Sequence, residues 1–447
     1  MRLITLAIAI FSISFFGNTK PPRYQPIQNQ FELNWSTPMG AASFRANVIL
    51  TNNNLIIGSN GSGFIDYYIS DKKSGVYVID RKSGNVNNHF ANELFGDMDV
   101  NGLLLEGGNL YFGNDNEEFL CTNLSGKIVW RNPTSGDVEH EPVLINNKGV
   151  KQVVYATETG EVKAVDPLSG KAIWCYYVPH YDGWKPGDNR ALLKVKAFFS
   201  NTGSFYTKPI VVDLNNDLVE DLVYLTYDSK LYAINGASGK LLWIYNSVDG
   251  SEIALLQTGT KADPTISFFS KIYNTNYSVT TYLLTLNNYG KQIAKTELPS
   301  GSFGMGLNSV QLNNQFIVQR DSLLEMDANG KFKAYDRSNL YPDVDYQGKN
   351  VVEERNGYES LISNRTFSYK GNTNCLIILN QHDYAHYENG FIEIYSLTNH
   401  KVLDRFELPM PSELPPVIAD INKDGYLDLL INCYDGNLYC YNLKVKS

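Results

Sequence analysis

The chain has 447 residues, 43% of them hydrophobic and 13% aromatic, with a formal net charge of −9 at pH 7. Acidic and basic residues are interspersed, so there is no basic stripe to neutralise phosphates, and nucleic acid is excluded as a partner. Thirty tyrosines and the lack of a helical period point to half-buried strands, and a repeat along most of the chain replaces the prior of about three domains that length alone suggests.

The N-terminus carries Met1-Arg2 and then an uncharged, mostly apolar run from Leu3 to Phe16. The run is short for a membrane span but suits the core of a signal peptide. Residues 1–20 are therefore expected to be a signal peptide or N-terminal anchor, and residues 21–447 a single repeat domain. No small-x-small pair marks a clean cleavage site, which leaves an uncleaved anchor open as the only contact with a membrane, and no Cys nearby offers a lipid attachment point. Export to the periplasm, cell surface or medium is the expectation.

The clearest unit is Glu161 to Trp174, where apolar residues alternate up to Val165, Asp166 and Ser169-Gly170-Lys171 form a turn, and a second apolar run ends in Trp174. This reads as two antiparallel strands and their turn. Lys230 to Trp243 is a near copy. Fainter copies place Gly126 four residues before Trp130, and Ser83-Gly84, Tyr289-Gly290-Lys291, Asn329-Gly330-Lys331 and Asn399-His400-Lys401 at the equivalent turn. Two further strand-like runs accompany each turn; in the third unit they are Pro142 to Ile145 and Gln152 to Ala156. Four-stranded units at a base period of about forty residues predict an all-β, eight-bladed β-propeller. The last unit lacks an outer strand, and Phe31 to Trp35 is an outer strand without a unit. Pairing the two closes the ring and removes an exposed edge.

The long links His180 to Lys208, Asn246 to Asp263 and Arg337 to Ser360 fall between blades, and Ser59 to Ser74 and Gln381 to Asn389 fall between second and third strands. Both link types leave a propeller on one face, which predicts a binding surface there; loops that merely pad the rim are the plainer alternative. The residues singled out on this face are Trp184, Lys185, Asp188 and Arg190 in the first insertion and His382 and His386 in the last. Zinc would accept the latter pair with Asp383 and Glu388, but the spacing has no helical phasing, and a surface loop is the favoured reading.

Asp420, Asn422, Asp424 and Asp428, with Gly425 at the bend and the carbonyl of Tyr426, have the spacing of a calcium loop between two strands. Asp213, Asn215, Asp217 and Asp221 repeat it with Leu218 in place of the Gly, which forces a branched side chain into a disfavoured conformation. Asp97, Asp99 and Asn101 begin the pattern but Leu105 replaces the ninth-position carboxylate, so a plain turn is expected. All three are read as links between first and second strands, on the face opposite the insertions, with calcium in a structural role. A self-capped Asx turn is the alternative. The five cysteines are scattered, and Cys433 and Cys440, set diagonally on one face by a two-residue hairpin, are expected to be buried thiols more readily than a disulfide. Neither Gly58 to Gly63 nor Gly301 to Gly306 is followed by the Lys-Ser/Thr of a phosphate loop.

The unit from Leu231 to Trp243 resembles the repeat of quinoprotein-like (PQQ-like) β-propellers, and the Asp420 to Asp428 loop resembles the calcium loop of FG-GAP propellers. The resemblance implies an eight-bladed ring and a choice between enzyme and scaffold. Quinone-dependent dehydrogenases of this fold carry adjacent cysteines over the cofactor; this chain has none, so calcium is expected and pyrroloquinoline quinone is not. The scaffold branch includes a lipoprotein subunit of outer-membrane protein assembly. The resulting expectation is a monomeric, non-catalytic exported propeller that binds an envelope protein or a glycan. The alternative is a quinoprotein-like or carbohydrate-active enzyme.

Overall fold

The computed structural model describes residues 25–63, 69–91, 99–178, 205, 208–226, 230–246, 255–259, 263–273, 279–297, 309–311, 315–318, 322–326, 332–336, 359–381 and 390–447. Among them the only helix is the four-residue Ile27–Gln30. The strands form eight sheets, seven with four strands and one with six. Taken in chain order, the blades span residues 49–90, 103–133, 143–177, 210–246, 255–297, 309–336, 359–407 and 417–446. Blade three shows the pattern: Val143–Asn147, Val150–Ala156, Glu161–Val165 and Ala172–Tyr177 pair in sequence order, all antiparallel.

Burial explains why these segments are strands. Val153, Val154, Tyr155 and Ala156 in the second strand of blade three are all fully buried, because blades pack against both faces of the sheet. The fourth strand is the outer one, and in Gln292–Glu297 every residue is exposed. Each buried Val or Leu contributes roughly 1.5–3 kcal/mol, and it does so only when a neighbouring blade covers it.

The seams between blades share one device. A β-carbon added to Gly170 would sit 2.5 Å from the ring of Trp130, one on Gly239 2.5 Å from Trp174, and one on Gly290 2.5 Å from Trp243. Thus the outer-strand Trp of one blade lies on the turn glycine of the next, where φ is +68°, +71° and +73° respectively. The indole N–H is satisfied across the same seam: Trp130 Nε1 donates to Pro167 O at 3.0 Å, Trp174 Nε1 to Gly236 O at 3.0 Å and Trp243 Nε1 to Asn288 O at 2.9 Å. Blade six uses Tyr335 instead, stacked at 3.5 Å on His400, which occupies the glycine position with φ +51°.

Glu32–Pro38 pairs antiparallel with Asn437–Lys446 and completes the last blade as its outer strand. Trp35 then lies on Gly84 of blade one and donates to Arg81 O at 3.0 Å, so this seam follows the same rule as the others. Arg81 adds a second tie, donating from Nε to Ile421 O at 2.8 Å and from Nη2 to Asp420 O at 2.7 Å. Just upstream, Gln25–Pro26 runs parallel to the outer strand Lys401–Glu407 of blade seven.

Three sequence expectations need correction. Asp99 and Asn101 precede the first strand of blade two, Leu103–Glu106, which turns through Gly107-Gly108 into Asn109–Asn114; they therefore lie in the link between blades one and two, on the insertion face. Asp97 is outside the described residues. Much of Ser59 to Ser74 continues the strands Asn54–Ser62 and Ile69–Asp80 as a longer hairpin. Cys433 and Cys440 are both buried free thiols, but on opposite faces of the sheet, Cys433 packing with Leu429 and Ile431, Cys440 with Leu430 and Leu438. The physical reason is a three-residue loop, Tyr434 to Gly436, closed by Cys433 N to Asn437 O at 3.0 Å; the extra loop residue shifts the register by one and reverses the side.

Candidate functional site

Antiparallel order within each blade sends the links between blades and between second and third strands to one face, the insertion face. First-to-second and third-to-fourth links leave on the other, the turn face. At blades one to three the insertion face carries a recess that the sequence reading missed. Arg45 comes from the link between blades eight and one, Asp99 and Asn101 from the next link, Asp115 from the middle loop of blade two, and Asp137, Glu139 and His140 from the link between blades two and three.

One carboxylate oxygen from each of Asp115, Asp137 and Glu139 lies within 4.8 Å of the other two. Among the described residues no other set of three His, Cys, Asp or Glu side chains converges so closely. Glu139 Oε2 accepts from Arg45 Nη1 at 3.0 Å and from Asn101 Nδ2 at 2.9 Å. Asn101 Oδ1 in turn accepts from Ser43 Oγ at 2.5 Å and Asn60 Nδ2 at 3.1 Å. Three inter-blade links and the strand Asn54–Ser62 are thereby held to one another. Carboxylates held this way can bind a divalent cation or the ammonium or guanidinium of a partner.

His140 is 2% exposed and its Nδ1 hydrogen-bonds to Glu141 O at 3.0 Å, which makes Nδ1 the donor. Burial pushes its pKa down to about 4, with the charges of Lys208 and Arg45 adding to the effect against the Glu141 carbonyl. The ring packs against Tyr224, with centroids 5.7 Å apart. Lys208 pairs with Glu141 at 2.9 Å and so fastens the end of the longest insertion to this recess. Next to it, Ser135 Oγ hydrogen-bonds to Thr157 Oγ1 at 3.0 Å and Thr159 Oγ1 at 2.6 Å, and the buried Glu161 is paired with Lys163 at 2.5 Å. The signal for the recess was present as Asp137-Val-Glu139-His140-Glu141, four titratable residues in five.

The two calcium-like loops form on the turn face as expected. In the last blade Asp420 Oδ1 accepts from Asp424 N at 3.0 Å and Oδ2 from Gly425 N at 3.1 Å, Asn422 Oδ1 accepts from Asp424 N at 3.0 Å, and Asp424 Oδ1 from Tyr426 N at 2.8 Å. Asp428 is buried and accepts from Ile421 N at 2.8 Å and Asn34 Nδ2 at 2.7 Å. In blade four Asp213, Asn215 and Asp217 hold their loop in the same way, and buried Asp221 accepts from Leu214 N at 2.9 Å and Gly236 N at 3.1 Å. Burial pushes both Asp221 and Asp428 up to about 6, with the charges of Asp217 and Asp213, or of Asp424, adding to it and the backbone N–H groups opposing it. Gly425 has φ +87° and Leu218 φ +69°, so the strain expected at Leu218 is present. Trp184, Lys185, Asp188, Arg190, His382 and His386 lie outside the described residues.

Residues 72–339, more than half of the chain, match the protein family described as outer membrane protein assembly factor BamB. No curated protein matches the sequence. Among solved structures, BamB from Moraxella catarrhalis is 12% identical, with 92% of this chain and 98% of that one covered and a TM-score of 0.51. The Dos1 propeller is 11% identical, with 93% and 96% covered and a TM-score of 0.56. Quinohemoprotein alcohol dehydrogenase ADHIIG from Pseudomonas putida HK5 is 13% identical, with 95% and 79% covered and a TM-score of 0.55. At these identities the likeness is one of fold.

Proposed function

The chain belongs to the PQQ-like propeller family described as outer membrane protein assembly factor BamB, and from that membership we propose that it is a non-catalytic, exported scaffold that binds an envelope protein through its insertion face. The observation that carries this reading is the acidic recess of Asp115, Asp137 and Glu139, assembled from separate links and preorganised by Arg45 and Asn101. Preorganisation lowers the cost of binding, and a recess of carboxylates suits a basic side chain of a protein partner. The test is capture of a partner from an envelope fraction by the wild-type protein and by the double variant Asp115→Asn, Asp137→Asn. A partner lost by the folded variant supports the reading; a partner held equally by both removes the recess from the function.

A quinone cofactor is not part of this reading: without a bridging cation the carboxylates of Asp115, Asp137 and Glu139 would repel those of pyrroloquinoline quinone, and Arg45 is engaged by Glu139. Incubation with the quinone and calcium checks this point, since a visible-absorbing complex with dye-linked alcohol or sugar oxidation would establish the enzyme alternative.

For the last blade we propose one structural calcium, held by Asp420, Asn422, Asp424, Asp428 and the Tyr426 carbonyl. The set fits because Asp420 Oδ1 and Asn422 Oδ1 converge on Asp424 N, and because the carboxyl of Asp428, raised to about 6 by burial and further by the charge of Asp424, would be favoured in its charged form by a cation. Asp213, Asn215, Asp217 and Asp221 form the corresponding set in blade four. Calorimetric titration of metal-free protein decides it, with heat expected from the wild type and less from Asp424→Ala; no heat from either refutes calcium here.

A further inference from the structure

The turn face differs from the rest of the surface in its apolar side chains. Eleven large hydrophobic residues are exposed among the described residues. Leu168, Leu218 and Tyr289 stand on turn-face loops; Val150 and Tyr426 are the first residues of strands that leave that face. The remaining six, from Leu33 to Ile293, are each the first or second residue of an outer strand, directly above it. All eleven thus collect at one end of the ring, where no core is left to fill.

Lysines accompany them at the blade period. Lys127, Lys171, Lys240 and Lys291 each follow the turn glycine, are exposed, and stand one or two residues before the exposed Val129, Ile173, Leu241 and Ile293. The tips project furthest: Leu168 is 77% exposed, Leu218 86% and Tyr289 73%. Neighbouring loops interlock, since Asn288 Nδ2 of blade five donates to Leu214 O of blade four at 3.2 Å and Asn147 Nδ2 of blade three to Ala237 O at 3.4 Å. The loops of blades three, four and five are therefore tied to one another. Of the acidic residues beside the tips, Asp213 and Asp217 are folded back onto N–H groups of their own loop, including that of Leu218 itself at 3.0 Å, and Asp166 onto Ser169 N at 2.8 Å; Glu220 is exposed and opposes the lysines at blade four.

Protruding Leu and Tyr side chains set among regularly spaced lysines are complementary to an anionic lipid surface, which takes up apolar tips at headgroup level and attracts ammonium groups to its phosphates. We propose that the turn face of blades two to five docks on an anionic phospholipid bilayer, with Leu168, Leu218 and Tyr289 entering the headgroup layer and the four lysines over the phosphates. The docked molecule holds its insertion face, and the acidic recess, away from the lipid. This goes beyond the protein-binding reading of that recess, and either can fail without the other.

Hydrogen exchange of the full chain with and without vesicles tests it, comparing phosphatidylcholine alone with vesicles containing about 30% phosphatidylglycerol at low salt. The expected result is slowed exchange around residues 166–171, 213–218 and 287–291 on anionic vesicles, with residues 114–118 and 157–160 of the opposite face unchanged. Two variants bear on the two parts of the surface: Leu168→Glu, Leu218→Glu, Tyr289→Glu, and the reversal of all four lysines to Glu. All seven positions are exposed, so both are expected to fold. Each is expected to weaken vesicle affinity by about tenfold or more, and raised salt is expected to weaken that of the wild type. Absence of protection at the three turns, protection confined to the N-terminal segment, equal protection on phosphatidylcholine alone, or undiminished affinity in both variants would each overturn the proposal.

Discussion

On the turn face a given position does the same job in blade after blade: Gly84, Gly170, Gly239 and Gly290 receive Trp35, Trp130, Trp174 and Trp243, and each indole N–H finds a carbonyl in the same loop. On the insertion face the acidic recess draws a different residue from each loop that reaches it. Arg45, Asn101, Asp115 and Glu139 come from four different links, and among the described residues their arrangement occurs once. Repetition holds the ring together, and departure from it supplies a surface with a particular charge. A mutation in the repeated Trp–Gly seams should change stability before binding, and one at Asp115 or Asp137 the reverse.

The sharpest break of this contrast is at the closing seam. Removing residues 21–36 takes away Trp35 and much of the outer strand of the last blade, and is expected to give the largest loss of thermal stability; the smaller change Trp35→Ala should cost about 3–5 kcal/mol. No change in Tm would refute the closure. Gly239→Val comes next, at about 3 kcal/mol, since the new side chain meets the Trp174 ring and must hold φ near +71°. On the insertion face the expected effect depends on pH. His140 has a folded pKa of about 4 against an ordinary value of 6.5. Between these values the unfolded chain takes up a proton that the fold refuses, so the stabilisation is full above pH 6.5 and is lost as pH falls towards 4. The loss amounts to about 3 kcal/mol at most, and denaturant unfolding of His140→Phe should lack this component. The smallest effect is a gain: Leu218→Gly relieves a left-handed backbone and should add about 1 kcal/mol by the same measurement, while removing a tip that the lipid proposal needs.

The repeat was legible because its signal is local. Gly170, Lys171 and Trp174 stand within five residues, and their copies recur down the chain. The missing outer strand was legible for a related reason, as Phe31 to Trp35 has the pattern of an outer strand and no unit to join. The recess was legible only in part, since Asp137 to Glu141 stands out as a charged run, but Asp115 meets Glu139 through topology and neither belongs to a spaced motif. Asp99 and Asn101 were assigned to the wrong face because Leu103–Glu106 was not recognised as a strand; its Gly107-Gly108 turn, with both glycines at positive φ, is a two-residue hairpin signal that the longer Asp-rich pattern obscured. Cys433 and Cys440 show how much one loop residue decides. A two-residue turn would have set them on the same side, and the three-residue turn separates them by the thickness of the sheet.

The closing strand has a consequence for biosynthesis. Asn34 meets Asp428 across 394 residues of chain, so the strand made first finds its partner only when nearly all the rest has been made. Until then Glu32–Pro38 is an unpaired edge able to add to another chain, and the last blade lacks its cover. The native contact order is high at this one seam, and folding to completion waits on the far end of the polypeptide. Chains interrupted before Asn437 cannot complete the seam, which gives quality-control machinery a single structural difference between finished and unfinished molecules.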